Sequence, residues 1–226
     1  PEFSQSVDLI FILQHKNNKM KIDLTDITNI IFDLGNVLLN LDFNASIKAF
    51  QELGLKNDVL NRQQAYSDPV FYELEIGKVT PEEFRKKVRE ILNNENATDL
   101  QIDDAWSAMV LDIPAERVKI VQELRKNYNV YLFSNTNQIH IDRLLPAFKA
   151  EHKIDFPSLF SKTYYSHEIH ERKPDLSSFK KVIKLSSVNP AESVFIDDLE
   201  KNILAAEKAG LKTFWLKDRA ELAEIF

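Results

Sequence analysis

The chain has 226 residues, 44% of them hydrophobic and 28% charged, with a net charge of −6 and no cysteine. That is enough for one large domain, or for a core domain with a smaller insert. The acidic balance excludes an overall positive field for nucleic acid or an anionic membrane. The absence of cysteine excludes disulfides and thiolate metal sites and fits a cytoplasmic protein.

In chain order, the first apolar run is "VDLIFIL" (7–13), which is too short to span a bilayer and contains Asp8. It lacks a preceding basic stretch and a following small-residue cleavage site, so it does not read as a signal peptide. The opening Pro1-Glu2-Phe3 resembles a cloning scar, and Met20 would be a natural start. Residues 1–19 are therefore expected to be an N-terminal extension or a vector-derived segment outside the fold.

Four short runs then share one grammar. They are "NIIF" before Asp33, "VYLF" before Ser134-Asn135, "SVFI" before Asp197-Asp198 and "TFWL" before Lys217-Asp218. Each is apolar without alternation, the pattern of a parallel strand covered on both faces. "KTYYS" (162–166) is a weaker fifth. Helical patterns lie between them: "PAERVKIVQELRKN" (114–127), with Pro114 suited to a first helical position, and "LEKNILAAEKAG" (199–210), ending at Gly210. The alternation predicts an α/β fold with a doubly wound, parallel Rossmann-like sheet.

Residues 44–112 break this rhythm and read as helices only. Thr80 and Glu83 make a capping box with Pro81 at the first helical position, and the charge run "PEEFRKKVRE" reads as a solvated face. An all-helical cap over 44–112 is expected, inserted into a core of 20–43 and 113–226.

In such sheets ligands bind beyond the carboxyl ends of the strands. Asp33, Ser134, Asn135, Asp197 and Asp198 all stand where a strand gives out. Each alone could be a helix N-cap, and Asp197-Asp198 alone could be a surface acidic turn. Three such sites in register favour a shared crevice. Crowded carboxylates repel unless a proton or a hard cation joins them, and Mg²⁺ takes one or two carboxylates with phosphate and water. Lys173, before Pro174, supplies a counter-charge. The four glycines, Gly35, Gly54, Gly77 and Gly210, are too scattered for a phosphate-cradling loop. Phosphate must therefore be held by side chains, a metal and isolated amides. Together these parts suit phosphoryl transfer through an aspartyl-phosphate.

The ordered motifs "FDLGNV", "FSNTN", "RKPD" and "VFIDDLEKN" resemble the haloacid dehalogenase superfamily across 28–216, with a helical insert resembling its C1 cap. "FDLGNV", "LDFN", "SNTNQIH" and "RKP" are most similar to its bacterial α-D-glucose-1-phosphate phosphatase group. The resemblance implies Asp33 as nucleophile, and Mg²⁺ held by Asp33, the carbonyl of Gly35 and Asp198. Asp197 would support the metal or orient Lys173, and Asn202 would stand behind them. Ser134 and the Asn135 amide would bind phosphoryl oxygens, and Lys173 would offset their charge.

One position departs from the pattern. Phosphatases of the superfamily usually carry a second Asp two residues after the nucleophile as general acid and base, and here that residue is Gly35. His140 and Asp42 are the two candidate substitutes, with a helix-surface histidine and a turn aspartate as the plainer readings. Water alone could serve as proton donor for a good leaving group. Phe71, Tyr72 and Glu75 of "FYELEIGK" are expected to face substrate.

A small phosphorylated metabolite, such as a sugar phosphate, is the expected partner, with neither nucleic acid nor membrane. The chain is expected to act as a monomer or weak homodimer. Gly35 keeps two alternatives open: C–P cleavage using Lys78, Lys86 or Lys87, and a non-catalytic phosphate-ligand-binding module.

Overall fold

Five parallel strands form one sheet: β1 (Asn29–Phe32), β2 (Asn129–Ser134), β3 (Lys162–Tyr165), β4 (Ser193–Asp197) and β5 (Lys212–Trp215). Their spatial order is β3-β2-β1-β4-β5. The computed structural model describes residues 21–56, 61–217 and 222–226. The expected extension over 1–19 lies outside them, as do Asp218 and part of the helical pattern around 56–65.

β1 lies at the centre and all four of its residues are buried. Ile30 pairs with Val130 on one side and Val194 on the other. Successive side chains on a strand point to opposite faces. Ile30 and Phe32 accordingly join Leu132 and Ile196 in one apolar cluster, while Ile31 joins Phe133 and Phe195 in another. A strand buried on both faces has no use for polar alternation, which is why the runs read as they do.

Between β1 and β2 the described chain is helical: α1 (Phe43–Glu52), α2 (Arg62–Ala65), α3 (Pro69–Glu75), α4 (Pro81–Leu92), α5 (Asp99–Ser107) and α6 (Ala115–Leu124). Thr80 and Glu83 close the capping box of α4, and Phe84, Val88 and Leu92 form its buried stripe. The charge run on α4 is not merely solvated, because Arg85 makes a two-pronged bond to Asp103 of α5 at 2.8 and 2.9 Å. Thr98 and Gln101 make a second capping box at α5. α6 begins one residue later than expected: Pro114 has the extended ψ of 137° and stands outside the helix.

Phe50, Phe71, Phe84 and Trp106 pack edge-on and tilted in a core of their own, which Ile139 joins. Ile139 belongs to α7 (Gln138–His152), so this layer is anchored to the sheet domain by a shared apolar contact. α8 (Ser166–Ile169), α9 (Leu176–Ser186) and α10 (Glu200–Lys208) complete the described helices named here. Gly210, at φ +92°, terminates α10 in the left-handed region that glycine tolerates. Among the described residues no helix is long and apolar enough to cross a membrane.

Candidate active site

The strand order reverses between β1 and β4, the place where doubly wound sheets leave a crevice beyond the carboxyl ends. Asp33 follows β1 directly, Ser134 ends β2, and Asp197 ends β4 with Asp198 next. Ligand oxygens of Asp33, Asp197 and Asp198 all lie within 4.8 Å of one another.

Lys173 enters this cluster from the loop before α9 and is 1% exposed. Its ammonium donates to Asp33 Oδ1 at 2.6 Å, Asp197 Oδ2 at 2.8 Å and the Phe133 carbonyl at 3.0 Å. An ammonium has three N–H groups, and all three are used. Its backbone is fixed as firmly. The Asn135 side chain accepts from Lys173 N at 2.9 Å and donates to Lys173 O at 2.8 Å. The Lys173–Pro174 peptide is cis. Ser166 Oγ braces the same loop, accepting from Thr136 N and donating to Thr136 O.

Asp197 and Asp198 are adjacent but have different surroundings. Asp197 is fully buried; besides Lys173 it accepts from Leu199 N at 2.8 Å and from Asn202 Nδ2 at 3.0 Å. Its contacts fit the expectation that it orients Lys173, and its oxygens also lie in the cluster that could hold a metal ion. Asp198 stays half-buried and accepts only one side-chain bond, from Asn36 Nδ2 at 3.2 Å. Asn36 was missed by the sequence reading. Its φ of +57° turns the chain back over the crevice, and asparagine in a Gly-Asn pair was the available signal.

Burial pushes the Asp33 carboxyl up to about 7 against the pull of Lys173, with Asp197 and Asp198 adding to the rise. Burial and the neighbouring Asp197 also raise Asp198. Burial alone would lower Lys173, but Asp197 and Asp33 outweigh it and hold the ammonium above its usual range. The cluster therefore holds more negative charge than one ammonium offsets. Oxygen donors crowded in this way match the preference of a hard divalent cation.

Gly35 has a steric neighbour: a Cβ there would stand 2.7 Å from Leu41 Cδ1. The room for a side chain at this position is filled by Leu41. His140 does line the cavity, but it is 9% exposed, with Nε2 3.1 Å from the Trp106 carbonyl and Nδ1 3.2 Å from Asn137 Nδ2. Burial pushes its pKa down to about 4. A histidine with both ring nitrogens engaged and a stable neutral form does not suit the acid–base role expected of it. Asp42 is also committed, capping α1 through Asn44 N at 3.0 Å.

The crevice opens into a cavity of about 800 Å³ whose far wall is built by the helical layer. Phe43, Tyr66, Phe71, Tyr72, Glu75 and Trp106 line it from that side. Of the lysines weighed for C–P cleavage, Lys78 pairs with Glu73, and none of Lys78, Lys86 and Lys87 lines the cavity.

A parallel sheet with a lysine-bridged carboxylate cluster beyond its central strands is the arrangement of an acid-nucleophile hydrolase. The sequence pattern of haloacid dehalogenase-like hydrolases matches residues 30–216, and the chain belongs to that family. It is 32% identical to a D-ribitol-5-phosphate phosphatase of Bacteroides thetaiotaomicron over 196 residues, which covers 86% of this chain and 94% of that one. A HAD family enzyme of the same bacterium, solved with magnesium and inorganic phosphate, superposes with a TM-score of 0.82 at 34% identity. The match covers 88% of this chain and 99% of that one. A predicted HAD-like hydrolase of Porphyromonas gingivalis follows at 0.75 and 33%, covering 87% and 93%.

Proposed function

We propose that this chain is a magnesium-dependent phosphomonoester hydrolase. It acts on a small sugar or polyol phosphate through an aspartyl-phosphate at Asp33. The observation that carries this reading is the Lys173 ammonium bridging Asp33 and Asp197 at 2.6 and 2.8 Å, in the lining of the cavity. A relative named as a ribitol phosphate phosphatase, and another crystallised with magnesium and phosphate, support it.

Asp33, Asp198 and the Gly35 carbonyl would hold the ion. When bound, it neutralises the crowded acids and polarises phosphoryl oxygens. Asp33 attacks phosphorus through its free oxygen, while Lys173 holds the other and offsets charge on the phosphoryl group. Asp197 and Asn202 keep Lys173 in place. Ser134 and the Asn135 backbone N–H bind phosphoryl oxygens. With Gly35 lacking a side chain and His140 engaged elsewhere, the leaving oxygen takes its proton from water.

Residues 44–112 serve as the cap, excluding bulk water and macromolecules from a core of 20–43 and 113–226. The enzyme works in the cytoplasm as a monomer or weak homodimer. Sugar 1-phosphates and polyol 5-phosphates both fit the cavity's size class. The test is phosphate release from p-nitrophenyl phosphate, hexose 1-phosphates and ribitol 5-phosphate, with Mg²⁺ and with EDTA. Turnover that needs Mg²⁺ and disappears in Asp33→Asn is expected. Turnover surviving in that variant would overturn the assignment.

A further inference from the structure

Resting on the reading above, we propose that Glu75 and Arg172 form a hydroxyl-reading subsite in the same cavity. It selects phosphomonoesters of polyhydroxylated carbon chains. Glu75 ends α3 in the helical layer, whereas Arg172 precedes the catalytic lysine in the core. Their side chains meet with Nη1 and Oε2 2.5 Å apart, 19% and 16% exposed, and both residues line the cavity.

Several observations separate this pair from a simple structural bridge. A partly buried ion pair is weak evidence of a structural role, since desolvation offsets part of its attraction. The pair also keeps accepting capacity, since the contact engages one carboxylate oxygen, Oε2, and a carboxylate can accept about four hydrogen bonds. Burial raises the Glu75 carboxyl against the pull of Arg172, Arg62 and Lys201, whereas the charges acting on Asp33 are Lys173, Asp197 and Asp198. The cavity is thus lined by two distinct ion pairs, Asp33 with Lys173 and Glu75 with Arg172. Phe43, Tyr66, Trp106 and Met109 add apolar wall to the same cavity.

A phosphate bound beside Asp33 leaves the rest of its carbon chain to reach the second pair. A hydroxyl both donates and accepts, so adjacent hydroxyls match a carboxylate beside a guanidinium: each donates to Glu75 and accepts from Arg172. An anionic tail would meet the Glu75 charge. A tail without hydroxyls would cover the pair and leave it unpaired. Sites built to bond hydroxyls reject analogues lacking them far more strongly than apolar pockets reject an added methylene.

The test compares kcat and KM for ribitol 5-phosphate and butyl phosphate, two alkyl esters that differ in hydroxyls, in the wild type, Glu75→Gln and Arg172→Lys. The ratio of kcat/KM, polyol over butyl, is expected to fall about ten- to a hundredfold in each variant, mainly through KM. The double variant is expected to lose little more than either single one. Glu75→Gln keeps shape, and Arg172→Lys keeps charge, so misfolding of one leaves the other informative. An unchanged ratio in a folded variant overturns the subsite. If the wild type releases phosphate from p-nitrophenyl phosphate but does not distinguish the two alkyl esters, this proposal alone fails. If it releases none from any ester, the phosphatase reading has failed and the subsite with it.

Discussion

Lys173 and Asp197 form an ion pair 2.8 Å long in which neither partner touches bulk water, at 1% and 0% side-chain exposure. Asp197 is itself held by Asn202 and the Leu199 amide, so the lysine is placed by a carboxylate that cannot swing. Replacing Lys173 with Met leaves two buried carboxylates without a cation. The variant is expected to lose about 3–5 kcal/mol in urea unfolding, together with turnover. Adding Asp197→Leu to it should recover part of the stability and none of the activity.

Metal binding should be visible without substrate. Asp33 and Asp198 are both pushed above the usual carboxylate range by burial and by neighbouring acids, and a cation relieves both. Saturating Mg²⁺, at about a hundredfold over Kd, is expected to raise Tm by about 5–10 °C. Asp198→Asn should lose that shift while folding normally. A shift of full size in the variant would place the ion elsewhere.

His140 makes stability depend on acidity. Its folded pKa lies near 4, below the ordinary 6.5, so the unfolded chain takes up the proton first. The contribution is complete above pH 6.5 and declines as pH falls toward 4, by about 3 kcal/mol in all. Urea midpoints measured across that window should fall in the wild type and fall less steeply in His140→Gln. Activity near neutrality should not follow the protonation of this ring.

Gly35→Asp would supply the general acid and base expected two residues after Asp33. Its Cβ would meet Leu41 Cδ1 at 2.7 Å, a contact that a flexible side chain relieves only by moving. The substitution is expected to cost about 1–3 kcal/mol and to leave turnover no faster. Leu41→Ala in the same chain should return part of the stability. Faster turnover of poor leaving groups in the double variant would show that space alone had excluded the acid.

The strands were legible because burial on both faces leaves an uninterrupted apolar run, and Asp33, Ser134 and Asp198 were legible as the residues where those runs end. Lys173 was legible through the motif around it. That Asp197 bonds Lys173 was one of two roles the motif offered, and the 2.8 Å contact with a lysine 24 residues upstream gives it geometry. The two-way clamp of Asn135 on the Lys173 backbone was not legible, since asparagine before a helix reads first as a cap. His140 misled because its type suits proton transfer, whereas the Trp106 carbonyl that engages it lies 34 residues upstream. The Thr98–Gln101 capping box was there to be read and was overlooked. Glu75 was placed toward substrate without its partner, which belongs to the other side of the cavity.

The central position of β1 has a consequence for how the molecule comes into being. Its two neighbours, β2 and β4, pair with it across about 100 and 164 residues of chain. Pairings that distant bring a large loop-closure cost and form late. Asp33 leaves the ribosome early, yet Asp197 and Asp198 reach it only when β4 docks. A chain ended before residue 193 would hold Asp33 without Asp197 and Asp198 beside it. Assembly of the reactive centre is thus tied to near-completion of the polypeptide, and shortened products should be inert.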